Sequence, residues 1–556
     1  MMRPTLRPLL RLAQRLTPGR RAVTHTLGGL RDTVEVRTDR WGVPHIHAAH
    51  RDDLFFAQGY ITARERFFQM DYNRHAAAGR ICELVGRRPV PWRDSTVHLE
   101  ERTTYDVDVF VRAFGLAHAA RASHEVHSAE ARDIVAAYTA GVNAYVAEGV
   151  PSLEHRLLGL PVRLWEPHDA MLMLKAVAFE LNFSWRAILL GELLDRAGVP
   201  DDVAQALWPQ VRQDSATIVS APEARAALED LRALRQAASE VLGVGNAAGV
   251  GSNCFAVDGA HSATGAAILA NDTHMLLSTP SPWFEIGLHG GGLELHGFAL
   301  AGLPGIGIGR TPHHAWGITA GIVQDLDLFR ERLNPNNASE VLTPAGWQKL
   351  QLRQERFVVR GEGVTERTIA TSRHGPLLET LATGPVAPDE RFAVCWTGHA
   401  ASRELDALLA LWQSRTLEAC REAAQYHVCP TYNITYAGAD GRIAYFLAGT
   451  IPKRRADAPL RPLEGWTATW DWQGSVPWVE NPQEVAPARG FIVTANNRVV
   501  DRAYPHPLGD LFEPPHRFLR IRDRLEALGT EATLDDLAAI QADTQSAWGA
   551  RTRDVL

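Results

Sequence analysis

The sequence predicts an α+β chain, and three observations carry that prediction. Residues 1–220 are mostly helical in pattern after one opening β run. A stretch rich in Ala, Leu, Glu and Arg, then in Gly, interrupts the chain at 221–251. From residue 252 onward, short β runs such as Arg356-Phe357-Val358-Val359-Arg360 alternate with helices such as Leu405 to Tyr426. Periodicity alone gives mixed α and β without a topology.

Taken in order, the first 30 residues read as a basic leader. Arg3, Arg7, Arg11, Arg15, Arg20 and Arg21 all precede the first acid, Asp32. A secretory signal needs an unbroken apolar core after its charges, and here arginines interrupt every apolar stretch. The sequence by itself therefore reads as cytoplasmic, with a disordered or helical leader. Residues 31–220 form the helical first segment. In the interruption, Pro222 to Leu242 reads as a helix and Gly243 to Gly251 as a flexible tether. Residues 252–556 form the strand-rich remainder.

Composition narrows the function classes. A length of 556 residues allows two or more ordinary domains or one large one. With 46% hydrophobic and 22% charged residues the chain is ordinarily globular. A net charge of −7 gives no polyanion-binding signal, so no nucleic-acid partner is expected. No apolar run reaches transmembrane length, and none is expected to enter a membrane. The five cysteines, Cys82, Cys254, Cys395, Cys420 and Cys429, form no C-x-x-C pair and read as free thiols.

The chemistry centres on Val250-Gly251-Ser252-Asn253-Cys254-Phe255-Ala256-Val257, where a small-residue loop runs into a β-like stretch. Cleavage at Gly251-Ser252 would place a free α-amine and a hydroxyl on one residue. A serine hydroxyl needs an adjacent base, and an α-amine of pKa near 8 serves near neutral pH. Three other motifs lead nowhere. His289-Gly290-Gly291-Gly292 lacks the G-x-S-x-G elbow that would accompany a lipase oxyanion loop. Gly243-Val244-Gly245 with Gly249 is off the dinucleotide spacing. His313-His314 has no H-E-x-x-H or paired Cys beside it, and reads as a surface loop.

Downstream of Ser252, an ordered set of segments closely resembles the penicillin acylase family of N-terminal nucleophile hydrolases. The set comprises Gly265 to His274, Pro280 to Leu288, Gly297 to Gly305, Ala315 to Gly321 and Asp325 to Phe329. Upstream, Asp39 to Ile46, Gln58 to Asp71 and Gly79 to Gly86 join it; later, Tyr436 to Tyr445, Trp470 to Gly474 and Ala495-Asn496-Asn497 do so. The resemblance implies a four-layer α/β/β/α sandwich, with a first subunit at 31–220, a spacer at 221–251 removed or cut on maturation, and a catalytic subunit from 252.

It also implies site residues. Ser252 would be the nucleophile, His274 would order the centre near the amine, and Ala320 would offer its backbone N–H to an oxyanion. Asn496 would supply the second donor, and Arg517 would orient Asn496. Self-cleavage at Gly251-Ser252 would make the chain a zymogen whose two pieces stay together as a heterodimer. The substrate would be a small N-acyl amide of penicillin, cephalosporin or acyl-homoserine-lactone type. Met275, Ile308 and Ile322 stand at the acyl-pocket positions, and their aliphatic character favours a fatty acyl chain over a phenyl ring.

Some relatives bind calcium, and Asp327 and Asp510 match two ligand positions. Gln324 replaces another carboxylate, so no metal or other cofactor is expected. Many family members are periplasmic or secreted. Family precursors extend past the point matching Leu556, so the catalytic subunit reads as C-terminally incomplete. The competing expectation is an inactive fragment or a non-catalytic homologue that keeps the fold.

Overall fold

The computed structural model describes residues 24–90, 103–149, 152–182, 184–200, 203, 216–219, 251–275, 278–378, 389–501, 503–546 and 549. Most of the basic leader, the Pro222–Leu242 helix and the glycine-rich tether up to Val250 lie outside the described residues.

Four layers stack around the Gly251-Ser252 junction. The first is helical. Helices Arg51–Ala77 and Ala129–Ala147 cross at a contact that only glycine allows: a Cβ on Gly59 would lie 2.1 Å from the Tyr138 carbonyl oxygen, and one on Gly141 would lie 1.8 Å from that of Phe56. Leu54, Phe55 and Ile61 of the long helix bury against Ile46, Ile286, Leu288 and Leu295 of a nine-stranded sheet. That sheet runs Glu35–Thr38, Pro44–Ala48, Trp283–Gly290, Leu293–Leu300, Ile308–Arg310, His314–Ala320, Tyr432–Gly438, Ile443–Ala448, Gln483–Val485.

The third layer is a three-stranded sheet, Phe491–Thr494, Gly251–Val257, Ile268–His274. Alternation along its central strand sorts the side chains. Phe255 and Val257 face the fourth layer, helices His516–Leu528 and Leu534–Gln541, and bury with Phe518, Ile521, Leu525, Leu537 and Ile540. Ser252, Cys254 and Ala256 face the nine-stranded sheet, where Ala256 packs with Ala320, Ile443 and Tyr445. The sheets approach closely there, since a Cβ on Gly317 would lie 2.6 Å from the Cys254 sulfur. The α/β/β/α order thus follows from which face each strand buries. An eight-stranded sheet built on Leu326–Asn334 and Glu390–Trp396 completes the described structure.

Two elements differ from the sequence reading. The opening β run is a hairpin, because Asp39 turns the chain by accepting the N–H groups of Trp41 and Val43 at 2.8 and 2.9 Å. The helix expected over Leu405–Tyr426 is two, Glu404–Gln413 and Leu417–Ala424. Ser414 is extended and Thr416 caps the second helix by accepting from the Ala419 N–H. The cysteines are free, four buried and Cys395 half-buried. Among the described residues no helix is long and apolar enough to cross a membrane.

Candidate active site

Ser252 is the second residue of its strand and is buried. Its backbone N–H donates to Asn496 Oδ1 at 2.6 Å, and its hydroxyl donates to the Gly251 carbonyl oxygen at 2.6 Å. Asn496 follows the Phe491–Thr494 strand with φ +61°, a left-handed conformation that Asn tolerates better than most residues. That turn swings the amide over both sheets. Its Oδ1 accepts from Ser252 and from Arg517 Nη2 at 3.0 Å, and its Nδ2 donates to the Ala320 carbonyl at 3.0 Å. With both partners of Oδ1 being donors, the orientation of the amide is fixed.

Arg517 lies in the first turn of the His516–Leu528 helix and reaches inward. Its Nη1 donates to the Ser252 carbonyl at 2.6 Å and also to Asn253 Oδ1. Burial pulls its guanidinium below the usual value, opposed by Glu513 and Asp272, and burial raises the Glu513 carboxyl. Hydrogen bonds to a charged group contribute about 1.5–3 kcal/mol each, so three acceptors hold this arginine firmly.

Gly251 is ordinary extended strand and is not among the glycines with positive φ. A side chain there would be a tight fit against two neighbouring side chains. A Cβ would lie 3.0 Å from Arg517 Nη2 and 3.3 Å from His274 Nδ1. His274 is the register partner of Gly251 at the end of the Ile268–His274 strand. Its Nε2 pairs with Asp272 and lies 3.2 Å from Asn253 Nδ2.

Ala320 ends its strand. The Gly321 N–H donates to the Thr431 carbonyl at 2.8 Å, so Gly321 and Thr431 are the hydrogen-bonded pair. Alternation in an antiparallel ladder then makes Ala320 and Tyr432 the non-bonded pair. The backbone groups of Ala320 turn away from Tyr432. On that other side, Ile308–Arg310 pairs in register only as far as Trp316.

The structure therefore brings Gly251, Ser252, His274, Ala320, Asn496 and Arg517 to one place. It distributes the expected pocket residues between core and surface: Ile308 and Ile322 are buried, Ile322 among the inter-sheet residues with φ +50°, while Met275 is exposed. The sequence reading missed four polar residues here. Asp272 holds His274, and Asn253 Nδ2 donates to Asp272 at 3.1 Å. Asn433 donates to the Ala320 carbonyl at 3.1 Å and accepts from the buried Tyr445 hydroxyl at 2.7 Å. Asn253 adjoins Ser252 and Asp272 stands two residues before His274 on the same strand, but Asn433 and Tyr445 are brought in by sheet pairing, which leaves no local signal.

One other reading changes. Of the His313-His314 pair, only His313 is exposed; His314 opens a strand, and burial lowers it to about 4. The suggested calcium ligands do not fit a cation. Asp327 Oδ1 accepts from Arg454 at 2.8 Å and Gln324 at 3.0 Å, and its Oδ2 accepts from Trp472 at 2.7 Å. Asp510 pairs with Arg498. Calcium needs several free oxygens, whereas a guanidinium already neutralises each of these acids.

The chain is similar to known proteins over most of its length. The family model for penicillin amidase matches residues 33–556. The penicillin acylase 2 proenzyme of Pseudomonas sp. (strain SE83) is 29% identical over 94% of this chain and 66% of its own length. An acyl-homoserine lactone acylase of Pseudomonas aeruginosa is 28% identical over 89% of this chain and 58% of its own. Penicillin G acylase of Escherichia coli is 28% identical over 86% and 60%. The chain thus spans between 58% and 66% of the length of these three relatives. Among solved structures, a thermostable penicillin G acylase from Alcaligenes faecalis aligns with a TM-score of 0.46 and 23% identity, over 52% of this chain and 51% of that one.

Proposed function

The chain belongs to the penicillin amidase family, and from that premise we propose that it is a self-processing amide hydrolase using Ser252 as an N-terminal nucleophile. One observation carries the reading: Asn496 touches the Ser252 N–H with one end of its amide and Ala320 with the other. In the uncut chain the Ser252 hydroxyl would attack the Gly251 carbonyl, with which it is already hydrogen-bonded. The C–N bond to Ser252 breaks as the C–O bond forms, and water then releases Gly251 as an acid. The former amide nitrogen becomes an α-amine held by Asn496 Oδ1.

That amine takes the hydroxyl proton when Ser252 attacks a substrate amide, and passes it to the leaving nitrogen. Negative charge develops on the substrate oxygen. The Ala320 N–H, turned away from its strand partner, and the second hydrogen on Asn496 Nδ2 are the donors that would receive it. Arg517 acts as a positioning residue that fixes the asparagine. Water then hydrolyses the acyl-serine ester.

We place the substrate among small N-acyl amides with an aliphatic acyl chain, from Met275, Ile308 and Ile322, with the two processed pieces remaining associated. The test compares hydrolysis of acyl-homoserine lactones and of penicillin G by the chain and by Ser252→Ala. Release of free amine by the native chain alone supports the reading. Equal release by Ser252→Ala, or none by the native chain on any N-acyl amide, contradicts it.

A further inference from the structure

Strand His314–Ala320 loses one neighbour before it ends. Ile308–Arg310 pairs with it at Ala315 and at Trp316, and no further. On its other side Gly321 bonds to Thr431, so the backbone groups of Ile318 and Ala320 both point to the edge that Ile308–Arg310 has left. At Ile318 a side chain takes the missing strand's place. The Ile318 N–H donates to Asn271 Oδ1 at 3.0 Å, and Asn271 Nδ2 donates to the Ile318 carbonyl at 3.0 Å. A hydrogen-bonded residue pair in an antiparallel ladder exchanges the same two bonds.

The same amide holds the strand that carries Ser252. Asn271 lies on Ile268–His274, where its register partner is Cys254. Its Nδ2 also donates to the Asn253 carbonyl at 2.7 Å. Both hydrogens of Nδ2 are thereby used, one for each sheet, and Oδ1 has its donor. The approach is close, since a Cβ on Gly317 would lie 2.9 Å from the Asn271 Cβ. Asn271 thus ties Asn253, the residue after Ser252, to Ile318, two residues before Ala320. Its short reach matters. A whole strand at this edge would continue past Ile318 and take the Ala320 N–H as well. A side-chain amide is one residue long, so it satisfies Ile318 and stops, and Asn496 takes the Ala320 carbonyl at 3.0 Å.

We propose that Asn271 is a positioning residue for the reaction at Ser252. It holds the nucleophile's strand and the Ala320 strand at one separation, and it leaves the Ala320 N–H to the substrate oxygen. The inference rests on the hydrolysis proposed above. Asn271 acts through the two backbones and not by contact with substrate. An oxyanion donor works only within about 2.7–3.1 Å of the developing charge, and a misplacement of about 1 Å can cost about 10²-fold. That charge exists only in the transition state, so loss of Asn271 lowers kcat and spares KM.

The test compares the native chain with Asn271→Ala and Asn271→Asp, by amine release from an N-acyl-homoserine lactone per chain cut at Gly251-Ser252. Asn271→Asp keeps the shape and the acceptor for Ile318 but has no hydrogen for either carbonyl. Both variants should lower kcat by about 10–10²-fold, with KM changed less than about threefold. An alkyl boronic acid, whose adduct with a serine hydroxyl puts an oxygen where the oxyanion forms, should lose affinity by a similar factor. The matching carboxylic acid should bind as before. A residue that only stabilised the fold would lower the melting temperature and leave kcat per cut chain unchanged. Cleavage itself should persist, because the Ser252 hydroxyl and the Gly251 carbonyl lie on one strand. Hydrogen exchange of the peptide holding Ile318 checks the tie without activity, and that amide should exchange at least about tenfold faster in Asn271→Ala. Melting curves identify a variant that fails to fold, and Asn271→Asp, which keeps the shape, then decides. Native kcat in folded Asn271→Asp, a folded variant that stays uncut, or unaltered Ile318 exchange in folded Asn271→Ala overturns this inference alone. No amine release by the native chain from any N-acyl amide overturns the proposed function, and this inference with it.

Discussion

Ser252 and Ser402 are both buried, and each belongs to a network that contains a cation. At Ser402 the Lys175 Nζ donates to the hydroxyl at 2.6 Å, and the hydroxyl donates to Glu404 at 2.8 Å. Lys175 also lies 3.7 Å from Glu404, and all three residues are at most 2% exposed. Judged by distance alone, Ser402 is the serine with a lysine beside it. Its hydroxyl merely relays between a buried ammonium and a buried carboxylate. At Ser252 the arginine binds the backbone carbonyl instead, and the hydroxyl donates to the Gly251 carbonyl, at the bond proposed for cleavage. What distinguishes the proposed nucleophile is the group its hydroxyl faces and the donors placed beyond that group.

The sharpest way to break this comparison is to delete each hydroxyl. Ser252→Ala should abolish chain cleavage and lower turnover by at least about 10⁴-fold, read by gel mobility and by amine release. Next in size, Asn496→Ala removes one donor and should lower kcat by about 10²–10³-fold with a smaller change in KM, read by steady-state kinetics.

Asp325 extends the contrast to an acid without a cation. It is buried, held by Asn182, by Thr397 at 3.2 Å and by Cys429, and burial raises it from 3.8 to about 7. A carboxyl whose folded value is raised stabilises the fold while protonated. That contribution is complete below about pH 4 and is lost as pH rises towards 7. Asp325→Asn copies the neutral form, so its melting temperature should exceed that of the native chain at pH 8 but not at pH 4. Smallest in effect, Ser402→Ala should cost about 1–3 kcal/mol in denaturant melts and leave cleavage at Gly251-Ser252 intact. Loss of cleavage in that variant would break the comparison.

Much of this was legible in the sequence because it rests on local order. Ser252, His274 and Ala320 lie in short, patterned segments, and the alternation of Phe255 and Val257 with Cys254 and Ala256 already assigns two faces. What was not legible depends on pairing across the chain. Asn253 meets Asp272, and Asn433 reaches Ala320, only through strand register. The tight fit around Gly251 comes from Arg517, 266 positions later, whose direction no local pattern encodes. The Asp327 position looked like a metal ligand until Arg454, far along the chain, was found to occupy it.

The central claim is that Ser252 becomes an N-terminus. Intact-mass measurement and N-terminal sequencing of the purified chain test it directly, with Ser252→Ala beside it. The account predicts two pieces, one beginning Ser-Asn-Cys-Phe, from the native chain, and a single uncut chain from the variant. A native chain that stays whole, or a variant cut at the same bond, would contradict it.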